Sequence, residues 1–340
     1  MRTIVKPLFI LALSVATAAS AAAPGYHVTQ RVPLGGTGGW DYLAVDGAAR
    51  RLYVSRGTHV AVVDLKTDKQ VGDIMDTPGV HGIALAPELG RGFISCGGAA
   101  SALIFDLKTL KVLGQVKTGA GPDAIVYDPS SRRVFTFNGR GEDTTAFNAA
   151  TGELAGTIPL GGKPEFAAAD GKGKIYVNIE NTSEVAEIDT AKLAVLRRFS
   201  IKPGEEPSGL ALDAKRGLVF SGCRNKLMTV LDLHTGKVVT TVPIGAGVDG
   251  AGYDPATGDV FSSNGEGTLT VFRISGSLKP ESVHTVPTQR GARTMAIDPE
   301  THGVYLPTAQ FGPAPAPTAE DPHPRPAIVK DSFVVLVVGR

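Results

Sequence analysis

The chain is poor in most features that point directly to a chemistry. Its 340 residues hold two cysteines and one tryptophan, and aromatics make up 6%, so neither a disulfide framework nor a Cys-rich metal module is available. Charge of one sign is also lacking. Thirty-four basic and 33 acidic side chains leave +1, which speaks against a nucleic-acid footprint spread over the whole chain. There is no Gly-x-Ser-x-Gly, no Gly-x-x-x-x-Gly-Lys-Ser/Thr, no Cys-x-x-Cys-His and no paired zinc motif. These absences lower the expectation of an enzyme without removing it, because a site assembled from one residue per repeat leaves no local motif.

One long apolar run is present, and it is N-terminal. Arg2 and Lys6 precede Leu8 to Val15, and small residues fill Ala18 to Ala23, so residues 1–22 read as a removable signal peptide with cleavage after Ala21 or Ala22. The run is too short to span a bilayer comfortably. The expected product is a single exported domain, 23–340, periplasmic or secreted, with no membrane span.

Glycine (42) and proline (23) are plentiful, as many tight turns require. They punctuate a repeat. The stretch Gly121 to Pro159 contains four short apolar-rich runs, each closed by a Gly-, Pro-, Asn- or Asp-rich turn, which is the pattern of a four-stranded antiparallel meander. Equivalent openings recur at Asp41, His81, Asp123, Glu165, Ser208, Asp249 and Arg293, a spacing of roughly 40–44 residues. Seven such units predict an all-β fold, a seven-bladed β-propeller with four antiparallel strands per blade. Blade seven has signals at Arg293 to Ile297, Gly303 to Leu306 and Ser332 to Val338 and lacks a fourth strand. The segment Tyr26 to Leu34 resembles Val238 to Ile244 of blade five, so it is expected to close the ring as that missing strand.

Some polar positions read as scaffold. Asp64, Asp106, Asn148, Asp189 and Asp232 end third strands, and Asp128, Asp254 and Asp298 precede turns, where a short side chain accepts backbone N–H groups. Cys96 and Cys223 occupy equivalent positions of blades two and five, nearly opposite across the disc. That separation exceeds the roughly 4.4–6.8 Å between Cα atoms that a disulfide needs, so two free thiols are expected.

The elements Leu52-Tyr-Val-Ser55, Ile175-Tyr-Val-Asn178 and Val185-Ala-Glu-Ile-Asp189, with Gly-Gly-Lys-Pro or Gly-Ala-Gly-Pro before blades, resemble the YVTN repeat of exported bacterial YncE-like β-propellers. The likeness covers essentially the whole mature chain. It implies the fold and an exported location; relatives include binding modules, surface proteins and lactonase- or lyase-like enzymes, so it does not select an activity. DNA binding enters only through this resemblance.

Repeat geometry places two sets of residues on one face of the disc. The first ring is Asp41, His81, Asp123, Glu165, Ser208, Asp249 and Arg293. All seven are polar. They either hold a cation, a metal ion or a cationic ligand group, or they cap loops and pair with one another. If a divalent cation binds, its ligands come from Asp41, His81, Asp123, Glu165 and Asp249. The second ring follows strand two: Arg56, Cys96, Asn138, Glu180 or Asn181, Cys223 with Arg224, Asn264 and Thr308. His81 and Cys96 share a blade, but no Cys-x-x-Cys or His-x-x-x-His supports a sulfur-bound metal. Trp40 stands at the same rim, either stacking on a ligand or packing its loop. The Pro-rich stretch Gln310 to Lys330, inserted in blade seven, brings His323 and Arg325 to that face, as a cover over the channel or as a tolerant insertion. The expectation is a monomeric binding or scaffold protein with a small molecule or protein docked on the channel face. The rival is a metal-assisted hydrolase or lyase of lactone or sugar-like substrates, with His81 as acid or base.

Overall fold

A computed structural model describes residues 25–316, 318 and 324–340. The signal segment 1–22 and His323 lie outside the described residues. The fold is the expected ring of seven four-stranded antiparallel sheets, accompanied among the described residues by two single-turn 3-10 helices, Pro87–Leu89 and Glu180–Thr182. None of the described helices is long and apolar enough to cross a membrane.

Each blade is built the same way. In blade three the strands are Pro122–Asp128, Arg133–Asn138, Asp143–Asn148 and Leu154–Pro159, paired in sequence order. Strands two and three are buried almost throughout, whereas strand four alternates buried and exposed, as an outer strand with one wetted face should. A sheet buried on both faces needs neighbours on both sides. Seven separate hydrophobic clusters supply them, one for each blade-to-blade interface. Phe135 and Phe137 of blade three, for example, pack with Ile175, Val177 and Ile179 of blade four.

The third-strand turns are closed as expected. Asp64 accepts the N–H groups of Lys66 and Thr67 at 2.8 and 2.9 Å, and Asn148 those of Ala150 and Thr151 at 2.8 and 3.0 Å. Asp128, Asp254 and Asp298 serve their turns in the same manner. Both cysteines are free and buried, and burial pushes their thiols up to about 11 for Cys96 and about 12 for Cys223, leaving them inert at neutral pH.

The ring closes through His27–Pro33, which pairs antiparallel with Val334–Gly339 and completes blade seven. Blade seven's first strand is shorter than its sequence suggests, Ala296–Ile297 only. Arg293 and Thr294 leave the ladder to bond blade one instead: the Thr294 hydroxyl donates to the Asp41 carbonyl at 2.6 Å, and Arg293 Nη2 reaches the Trp40 carbonyl at 3.4 Å. A charged clasp reinforces the seam. Asp259 of blade six accepts from Tyr26 Oη at 2.6 Å and Arg273 Nε at 2.6 Å, and also pairs with Arg340. Burial works to raise the Asp259 pKa, yet Arg273 and Tyr26 hold it below the usual carboxylate range.

Asp259→Ala removes the acceptor for a tyrosine hydroxyl and two guanidinium groups. It is expected to cost about 2 kcal/mol of unfolding free energy in urea titrations; a loss under about 0.5 kcal/mol would show that the clasp contributes nothing to closure.

Candidate functional site at the channel mouth

The first-ring residues owe their position to a repeated irregularity. In blades two to six the pairing of strands one and two slips at the ring residue: between Val80 and Ile83, Pro122 and Ile125, Pro164 and Ala167, Pro207 and Leu210, and Val248 and Gly250. Such a bulge unpairs one or two residues and re-aims their side chains. Here it frees His81, Asp123, Glu165, Ser208 and Asp249 from the ladder. Unpaired backbone groups at these openings, and at the unbulged openings of blades one and seven, are satisfied by buried polar residues of strand two. Ser55 Oγ accepts the Asp41 N–H at 2.9 Å, Ser95 Oγ accepts the Gly82 N–H at 2.8 Å, and Ser263 Oγ donates to the Arg293 carbonyl at 2.6 Å. Asn178 Nδ2 donates to the carbonyls of Ser208 and Gly209 at 2.9 and 3.1 Å. This inner set was missed by sequence reasoning, although a polar residue recurs at one register of an otherwise buried strand in Val54-Ser55, Ile94-Ser95, Val177-Asn178 and Ser262-Ser263.

The residue after each ring position controls the floor. Gly82, Gly209 and Gly250 admit no side chain, because an added Cβ would meet the neighbouring strand's backbone at 2.9, 2.6 and 3.0 Å. The two bulky exceptions, Tyr42 of blade one and Phe166 of blade four, reach across the disc and meet with ring centroids 5.1 Å apart. They plug the channel. Tyr42 is 6% exposed. Burial first, then the charges of Asp123, Asp249, Asp41 and Glu165, lifts its phenol far above the ordinary range.

Around this plug the ring residues form a belt. Ser208 Oγ donates to Asp249 Oδ1 at 2.6 Å; Arg293 Nε pairs with Asp249 Oδ2 at 2.7 Å and its Nη2 with Asp41 Oδ1 at 3.2 Å. Asp41 Oδ2 in turn holds His81 Nδ1 at 2.6 Å. The belt breaks at blade three. Asp123 lies 3.8 Å from His81 and keeps one buried carboxylate oxygen without a hydrogen-bond partner. Glu165 stands apart on Lys163, 2.6 Å away, which Glu180 shares. Lys163, two residues before the ring in Gly-Gly-Lys-Pro, is a second member that sequence reasoning passed over.

This arrangement sets the protonation. Burial, with repulsion from Asp41 and Asp249, pushes Asp123 up to about 6 despite His81. Burial and the nearby Asp123 and Glu180 push Glu165 up to about 8 against the pull of Lys163. Burial also raises Asp249, although Arg293 opposes it. The hydrogen bond to Asp41 raises His81. Asp41, His81 and Asp123 can each offer one ligand atom, all within 4.8 Å of one another. Glu165 and Asp249, also expected to serve a cation, do not join that group, being tied to Lys163 and to Arg293 with Ser208.

The second ring lines the mouth only at Glu180 and Arg224. Asn138 and Asn264 are fully buried, donating to Asp143 and Thr145 and to Thr268 and Thr270 respectively. They close the hairpin between strands two and three and are unavailable to a ligand. Arg56 is 4% exposed. Its guanidinium lies 3.6 Å over the Phe333 ring and donates to the carbonyls of Gly35 and Thr37, so it packs the loop before blade one. Arg224 does stay exposed, paired with Glu206 at 2.7 Å.

Several recesses open on the belt, among them one of about 260 Å³ against His81, Asp123, Arg140 and Lys163. A cleft of about 800 Å³ is lined by Trp40, Asp249, Arg290, Arg293, Phe311 and Arg325 among others. An adjoining one of about 380 Å³ shares Asp249, Arg293 and Arg325 and extends to Glu165, Glu180 and Arg224. The Pro-rich insertion forms one wall: its limbs are pinned by Gly312 N–H to the Ala327 carbonyl at 2.8 Å and Val329 N–H to the Gln310 carbonyl at 2.9 Å, which carries Arg325 to the rim. Trp40 is 8% exposed and packs against Phe311 and Phe333, so it is a wall rather than a free platform.

No protein-family model matches the chain, and no curated protein matches it. Among solved structures it is similar to hydrazine synthase of Kuenenia stuttgartiensis, with a TM-score of 0.69 and 16% identity, covering 79% of this chain and 92% of that one. At that identity the likeness establishes the β-propeller fold and carries no chemistry.

The raised acids give a pH signature. A carboxyl whose folded pKa exceeds its unfolded value binds more protons when folded, so its contribution is full below the unfolded value and lost as pH rises through the folded one. Asp123 therefore loses stability through about 6 and Glu165 through about 8. His81, raised as well, runs the same way. Unfolding free energy is expected to fall between pH 5 and pH 9, and Glu165→Gln should flatten the part above pH 6. A slope of the opposite sign in wild-type protein would contradict these assignments.

Proposed function

We propose that this chain is an exported β-propeller binding protein of the YVTN-repeat, YncE-like kind, whose small-molecule ligand docks at the channel mouth. One observation carries the reading. The cleft of about 800 Å³ combines two aromatic walls with charged groups drawn from the ring and from the Pro-rich insertion, and concave sites of this size with a few convergent polar groups are where proteins hold small ligands. The plug formed by Tyr42 and Phe166 gives the site a floor and favours retention over passage. The repeat elements and the N-terminal charge and apolar pattern support the family and the export.

Two measurements test it. Intact mass of the protein recovered from periplasm or medium should correspond to a chain starting near residue 23; recovery of the full-length chain solely from the cytoplasm would refute export. In a thermal-shift screen of small acids, amines, sugars and metal ions, the shift given by compounds that stabilise the wild type should change in the Asp41→Ala, Glu165→Ala, Asp249→Ala triple variant, falling for cationic groups and rising for anionic ones. An unchanged shift in that variant would remove the site from the channel mouth.

A second reading, a metal-assisted hydrolase or lyase, is favoured by the convergence of Asp41, His81 and Asp123, a mixed oxygen and nitrogen donor set suited to a divalent ion. It requires stoichiometric metal in protein purified without chelator, and a thermal shift with Ca²⁺, Mg²⁺ or Zn²⁺ that Asp123→Asn abolishes. Neither metal content nor any shift would end it.

A further inference from the structure

The charge balance of the large cleft narrows the ligand's chemistry. Asp249 and Arg293 both line it, but they neutralise each other at 2.7 Å, and Ser208 takes the other oxygen of Asp249. Two exposed arginines remain, Arg290 from the loop entering blade seven and Arg325 from the Pro-rich insertion. Among the described residues no carboxylate pairs with either guanidinium. Arg325 also borders the adjoining recess with Glu165, Glu180 and Glu206, yet those acids are already answered by Lys163 and Arg224. Among the described residues the uncompensated charge at the cleft is therefore positive.

Its walls are flat and apolar. Trp40 and Phe311 stand with ring centroids 6.0 Å apart, and the Arg290 guanidinium carbon lies 5.4 Å from the Phe311 centroid, so this arginine is held against the wall.

We propose that this cleft binds a small organic acid with a flat apolar body, its carboxylate between Arg290 and Arg325 and its body against Trp40 and Phe311. Guanidinium forks match a planar carboxylate, and aromatic walls favour a flat partner. The proposal rests on docking at the channel mouth and adds the sign and shape of the ligand.

Trp40 is the chain's single tryptophan, so its emission reports on the cleft directly. 3-Phenylpropionate should change that emission saturably, and the neutral 3-phenylpropanamide should bind at least about tenfold more weakly. Arg290→Ala and Arg325→Ala should each weaken the acid roughly tenfold without lowering the melting temperature, since both side chains are exposed. Equal affinity for acid and amide, unchanged binding in the double arginine variant, or no saturable response to the acid would each overturn the proposal. The two levels separate cleanly. A screened ligand that binds the double arginine variant normally but binds the Asp41, Glu165, Asp249 triple variant with altered affinity overturns the organic acid and leaves channel-mouth docking standing; one whose binding is unchanged in both variants overturns both.

Discussion

Seven innermost strands converge on one axis, and the space left between them governs the rest of the molecule. Regular strands cannot continue to the mouth at that spacing without colliding. The chain meets the constraint with a bulge at the opening of strand one in five blades and with glycine directly after the ring residue in three. A bulge deletes ladder bonds, and orphaned backbone groups near the axis are costly. Buried Ser95 and Asn178 take them up in blades two and five, and Ser55 and Ser263 do the same for Asp41 and Arg293 of the unbulged blades one and seven. Crowding thus produces both the scaffold chemistry of strand two and the outward set of polar side chains at the mouth.

That polar set is not symmetric, though the scaffold that presents it is. From blade five to blade two the charges alternate and are bonded in series, Ser208 to Asp249 to Arg293 to Asp41 to His81. At blade three the alternation fails, because Asp123 follows His81 and faces Glu165 with Lys163 serving the latter. Both acids are buried, and desolvation first, then repulsion from Asp41 and Asp249 on Asp123 and from Asp123 and Glu180 on Glu165, drives both to hold protons at pH values where isolated carboxyls do not. Arg293 stiffens the blade seven side, whereas the Asp123 side keeps an unmet oxygen. The mouth therefore has one side whose charges are paired and one with an unmet acceptor.

The fold was legible because it is written seven times. Any single repeat could be misread, but agreement among copies fixed the blade count, the turn aspartates and the closing strand Tyr26 to Leu34. The first ring was legible for the same reason, since polar residues recur where apolar ones follow. The second ring misled because register alone does not separate a side chain that faces solvent from one folded back into its own hairpin; Asn138 and Asn264 sit one residue from a turn and are spent on it. Lys163, Tyr42 and Arg290 escaped notice for another reason. Each departs from its repeat, and a reading built on equivalence discounts departures. Such departures give the mouth a direction, because seven identical positions present no orientation.

The seam between blades seven and one shows how one departure leads to the next. Shortening the first strand of blade seven to Ala296–Ile297 gives up ladder bonds that other blades keep, and Arg293 and Thr294 recover contacts by bonding Trp40 and Asp41 of blade one. Those bonds draw the Trp40 loop toward Phe333 and Phe311. Phe311 begins the Pro-rich insertion, whose far limb returns through Ala327 and Val329. Extra length between two already paired strands costs little closure entropy, since the cost grows only with the logarithm of loop length. A stiff, proline-rich limb then holds an arginine at the rim with less freedom to lose on binding. The cleft follows from ring closure itself: the interface that had to be stitched by side chains is the one that acquired aromatic walls, a charged rim and an added loop.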